Sequence, residues 1–97
     1  MQVIALEVYS TDSNFAVLKP PGRKFPGSVI QGDSLALLTS AATHVSERLA
    51  QVSDDAELLQ ALTELRDQLE ARLRHYEAVL TEHGMSLPYE RHEASRW

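Results

Sequence analysis

Alternation marks the start of the chain. From Gln2 to Ser10, Ile4, Leu6 and Val8 fall on one side, with Val3, Ala5, Glu7 and Tyr9 on the other. That is the period of two a strand requires. Residues 10–14 are a cluster of polar turn formers, and Phe15 to Lys19 resumes a short apolar run. Residues 2–19 therefore predict an antiparallel β-hairpin. Pro20-Pro21-Gly22-Arg23 and Phe25-Pro26-Gly27-Ser28 each carry proline at the second and glycine at the third position of a type II turn. Ser28 to Gln31 is expected to run briefly extended until Gly32 breaks it, and Asp33 or Ser34 then caps a helix.

Beyond Gly32 the period changes. Leu35, Leu38, Ala42, Val45, Leu49 and Val52 recur at alternating spacings of three and four, which predicts a helix over residues 34–52 with one heptad seam. Ser53-Asp54-Asp55 interrupts it, and Asp54 with Glu57 reads as a capping box. A second helix is expected over residues 55–83, closed by Gly84, with a seam of Leu58, Leu62, Leu65, Leu69, Leu73, Tyr76 and Leu80. So short a connection makes the helices an antiparallel pair. The predicted fold is α+β: an N-terminal β-hairpin packed on a long two-helix hairpin, one domain over residues 1–84, then a tail over 85–97. The second helix, about 43 Å against about 28 Å, should overhang the first. A returning tail, a helix break or another chain would cover Tyr76, Val79 and Leu80.

Composition narrows the function classes. Ninety-seven residues that are 43% hydrophobic suffice for one modest core, and the lack of cysteine excludes disulfides and thiolate metal sites. The apolar N-terminus contains Glu7 and has no basic flank, so it reads as a strand and not a signal peptide. No stretch reaches transmembrane length. A cytoplasmic protein with no membrane or nucleic-acid partner is expected, since the net charge of −5 opposes a general nucleic-acid binder. Lys19, Arg23 and Lys24 form the one basic concentration, explained by a solvated loop or by an anion held at that turn and the Asp33 helix start. The acids gather elsewhere. Residues 54–83 hold eight acids against three arginines, a balance of −5 that equals the net charge of the whole chain. Opposite the leucine seam, Glu57, Gln60, Glu64 and Asp67 make a polar strip suited to steering a cationic partner, and equally a solvated helix face.

Catalytic and metal chemistry find little support. His44, His75, His83 and His92 have no metal-ligand spacing, and Gly22, Gly27 and Gly32 lack the lysine of a phosphate loop. No cofactor is expected. Gly32-Asp33-Ser34-Leu35 resembles the nucleophile block of the serine esterases and lipases named for that tetrapeptide. In that family an Asp-x-x-His element supplies the base. None of the five aspartates here has histidine three residues on, and helix capping accounts for Ser34 without catalysis.

A longer resemblance begins at Arg23-Lys24-Phe25-Pro26-Gly27 and, after three residues, continues through Gln31-Gly32-Asp33-Ser34-Leu35. The run resembles the signature of a family of small uncharacterised bacterial proteins with a strand-like N-terminus and a helical remainder. Phe25, Pro26, Gly27, Gln31, Gly32, Asp33 and Ser34 carry it. The resemblance brings no catalytic residue, but it implies association with toxins. Two functions are expected from it and from the residues: an immunity-type inhibitor that binds a cognate toxin through the acidic strip, or a homo-oligomer, a homodimer in the simplest case, joined through its helices.

Overall fold

The computed structural model describes residues 1–11 and 15–90. Part of the polar cluster after β1, and the end of the chain with His92 and Trp97, lie outside the described residues. Contacts divide the chain into two compact units, Met1–Gln31 and Gly32–Trp97. The fold class is α+β, strands first and a helical hairpin after them.

The first unit is an antiparallel sheet of β1 (Glu7–Ser10), β2 (Val17–Lys19) and β3 (Gly27–Ser28), in that order. The strand expected from Gln2 starts only at Glu7, and the register gives the reason. Glu7 pairs with Lys19, so residues before Glu7 would have to pair with Pro20 and Pro21. Proline has no N–H to donate, and the ladder stops there. The turn that follows forms as expected: Gly22 has φ +80° and the Arg23 N–H donates to the Pro20 carbonyl at 3.2 Å. The second expected turn does not form. Gly27 lies in β3 opposite Leu18 without a positive φ, because the first turn has already reversed the chain. The Val29 N–H donates to the Ala16 carbonyl at 2.9 Å and extends that pairing. The hairpin thus becomes a three-stranded sheet. None of its described side chains is buried.

The second unit pairs α1 (Gly32–Val52) with α2 (Ala56–Glu82). α1 starts two residues earlier than expected, and Gly32 has a different task from breaking a strand. The Tyr76 ring of α2 lies against it, so that a Cβ at position 32 would collide with Cζ, Cε2 and Oη of Tyr76. Any larger residue here would have to push the tip of the Tyr76 ring aside. The cap of α2 also moves by one residue. Asp55, not Asp54, accepts from the Leu58 N–H at 3.1 Å, and the Ser53 hydroxyl oxygen accepts from the Asp55 N–H at 3.1 Å. At the other end Gly84 closes α2 as expected. With φ +68° it donates to the Thr81 carbonyl at 3.0 Å, and Met85 donates to the Leu80 carbonyl at 2.8 Å, the paired bonds of a Schellman motif.

The helices meet along only part of the two predicted seams: Leu35 and Leu73 are buried between them, but Leu38, Val45, Val52, Leu58 and Leu65 are not. The buried line of α1 is Gly32, Leu35, Ala36, Thr39 and Ser46. Thr39 and Thr43 satisfy their hydroxyls by donating to the Leu35 and Thr39 carbonyls at 2.8 and 2.9 Å. Small side chains let α2 come closer than leucines would, and they win the contact. The apolar core is Leu35, Ala36 and Leu73, with Leu69 and Tyr89 packed against it. Leu38, Val45 and Val52 are left 51, 48 and 77% exposed, and Leu58 and Leu65 48 and 52%. α2 outruns α1, 27 residues against 21, or about 9 Å. The chain after Gly84 turns back over that excess and lays Tyr89 on the core.

Candidate functional site

The acidic strip forms as a row. Glu57, Gln60, Glu64 and Asp67 follow spacings of three, four and three on α2, which places them on one face, and all four are exposed. The Gln60 amide donates to Glu64 Oε1 at 3.3 Å. At the C-terminal end of the row Arg66 forms a 3.2 Å ion pair with Asp67 and also donates to the Ser46 hydroxyl on α1 at 3.4 Å. Asp67 is thereby offset, and the negative charge of the row concentrates at Glu57 and Glu64. From Asp54 to Leu65 there is no basic side chain to oppose it.

The residues from Phe25 to Ser34 that carry the resemblance spread over several elements. Phe25 and Pro26 are exposed on the approach to β3, Gly27 lies within it, and Gln31 is exposed at the end of the first unit. Gly32, Asp33 and Ser34 make the first turn of α1. Asp33 Oδ1 accepts from the Ser34 N–H at 2.8 Å, and no histidine hydrogen-bonds Ser34 among the described residues. The Lys24 ammonium sits 5.4 Å over the Phe25 ring, a cation–π contact. Lys19 and Arg23 line a shallow depression together with Leu6, Pro21 and Glu7, so an acid shares the surface of the basic concentration. Glu7 accepts the Tyr9 hydroxyl at 2.8 Å, which raises the pKa of that phenol above its usual value. Among the described residues no group of histidine and carboxylate side chains is placed to hold a metal ion.

One cluster has no counterpart in the sequence patterns. Glu77 is buried to 4% exposure, pairs with Arg74 at 2.9 Å and accepts the Tyr89 hydroxyl at 2.7 Å. Glu70 and Arg74 are four apart on α2 and could pair, but Arg74 turns to the buried acid three residues on instead. Burial first, then the hydrogen bond to Glu77 and its charge, push the Tyr89 phenol well above its ordinary pKa. Tyr89 lies twelve residues beyond Glu77, outside any helical repeat, and no periodicity points to their meeting.

A family model matches residues 1–89, taking in the sheet, both helices and the returning segment as far as Tyr89. The chain belongs to DUF6959, a family of unknown function. No curated protein and no solved structure matches it. Among the described residues of this DUF6959 member no helix is long and apolar enough to cross a membrane.

Proposed function

We propose that this DUF6959 chain is a non-catalytic binding protein, an immunity-type inhibitor that holds a basic toxin domain against the acidic row of α2 in the bacterial cytoplasm. The observation that carries the reading is the row itself: Glu57, Gln60, Glu64 and Asp67 exposed together on one rigid helix, with no base between Asp54 and Leu65. Charges of one sign held in line on a helix steer an oppositely charged partner and speed its encounter, an effect that salt weakens. The asymmetry fits a partner whose own active surface is cationic, as a nucleic-acid-degrading domain must be. Covering that surface is inhibition without chemistry.

The test is rescue. Co-expression with the toxic product of an adjacent gene should restore growth, and the purified pair should associate. Glu64→Lys combined with Asp67→Lys should slow association about tenfold or more at low salt and flatten its salt dependence. If no neighbouring product is toxic, or none binds, the inhibitor reading is lost.

A further inference from the structure

We infer that two copies of this chain associate through the open face of the helical hairpin, antiparallel about a two-fold axis level with Val45 and Leu65. The inference starts from apolar positions outside the acidic row and shares only Glu57 with it. It starts from two exposed rows with the same seven-residue spacing, Leu38, Val45 and Val52 on α1 and Leu58, Leu65 and Arg72 on α2.

The hairpin's own register aligns the rows. Gly32 lies against Tyr76, and Ser46 is reached by Arg66. Val45 therefore stands level with Leu65, Val52 with Leu58 and Leu38 with Arg72. The two rows also open on the same side. Turning in one rotational sense from its buried line, α1 passes Leu35, Ala42 and Leu49 before reaching its row, and α2 passes Leu62 and Leu69. Because the helices are antiparallel, those flanks form one face. That face is about 30 Å long and about 20 Å wide, roughly 600 Å² in projection. It is on the scale of the ~800 Å² each partner contributes to a standard stable interface.

The symmetry of the rows identifies the occupant. A second copy turned about the axis maps each row onto itself in reverse. Val45 meets Val45 of the copy and Leu65 meets its Leu65, while Leu38 covers the copy's Val52 and Leu58 meets the stem of its Arg72. The charges agree. Arg72 donates to the Gln68 carbonyl at 3.2 Å and has no acid partner among the described residues, and Glu57, beside Leu58, has no basic one. They stand about 22 Å apart along one helix and cannot meet within a chain. Reversal brings the Arg72 guanidinium of one copy to Glu57 of the other, at both ends of the contact. Equal spacing about a midpoint with opposite charges at the ends is the pattern of an isologous interface. A dissimilar partner would require neither feature.

The chain has no cysteine, so Leu65→Cys introduces a single thiol, placed on the axis. Mild oxidation of the full chain at micromolar concentration should convert it to a disulfide-linked dimer, while Ala78→Cys, on another face of α2, should stay monomeric. Sedimentation of the unmodified chain should show a dimer. Arg72→Glu should weaken it about tenfold, and Arg72→Glu combined with Glu57→Arg should restore it, with helix content checked by circular dichroism. A chain that sediments as a monomer at high concentration overturns the inference, as does Leu65→Cys crosslinking no faster than Ala78→Cys. So does a dimer that the charge exchange fails to restore.

Discussion

Gly32 and Ser34 sit two residues apart and answer to different constraints. At Gly32 the demand comes from α2, whose Tyr76 ring occupies the space a Cβ would need. Gly32→Ala should therefore destabilise the protein by about 1–3 kcal/mol, the usual cost of forcing an extra methyl into a filled site. Urea unfolding measures it, and the penalty should vanish in a Tyr76→Ala background. The Ser34 backbone N–H donates to the Asp33 carboxylate at 2.8 Å. Asp33→Ala should cost about 0.3–1 kcal/mol as the loss of the first-turn acid of α1, and Ser34→Ala should stay within about 0.5 kcal/mol of the parent. Ester hydrolysis that disappears with Ser34→Ala would return the serine to the list of nucleophiles. The glycine could be seen in the sequence, but its reason could not, because Tyr76 is 44 positions away and no local pattern links the two.

Among the elements, the contact at the end of α2 has a pH signature. The fold raises the pKa of Tyr89, so it favours the protonated phenol over the unfolded chain's. Stability from this contact is fully present below the ordinary phenol value of 10.0 and drains away as pH rises above it. Tyr89→Phe should cost about 1.5–3 kcal/mol near neutrality, because a bond to a buried carboxylate is lost, and should flatten the alkaline limb of an unfolding titration. An unchanged alkaline limb would show that the phenol is not coupled to folding. The helices, the Asp–Ser connection and the Gly84 stop were all legible from period and capping chemistry. The buried flank was not. A hydrophobic pattern weighs side-chain volume and selects the whole seam from Leu35 to Val52, whereas close approach keeps Leu35 of it, leaves Leu38, Val45 and Val52 outside and adds Gly32, Ala36, Thr39 and Ser46. Both flanks belong to the same broad apolar arc, and only the partner helix decides between them.

For the whole molecule, charge was the clearest signal. The acidic row could be placed on one helix face from spacing alone, and its four members are exposed there. What spacing did not reveal was that Arg66 offsets Asp67, since neighbouring residues on a helix rarely face one another. The acidic row and the apolar ladder share Glu57, but Glu64 and Asp67 belong to the row alone and Val45 to the ladder alone, so substitutions at those positions separate the two proposals in the laboratory. Glu64→Lys with Asp67→Lys should leave sedimentation unchanged while it weakens inhibition. Val45→Asp should do the opposite to sedimentation and leave the acidic row intact.

Pro20 and Pro21 have a consequence for solubility. By halting the ladder at Glu7 they keep the apolar run Val3 to Leu6 from becoming part of a preformed β edge. The edge that remains is four residues long, carries the Glu7 carboxylate and is kinked between Val8 and Ser10. Short, charged and bulged edges are poor templates for cross-β growth. The two prolines thus act as a length limit. They keep the sheet too short to seed its own aggregation, and exchanging them for residues with a free N–H would lengthen the edge into the most hydrophobic strand-forming run of the chain.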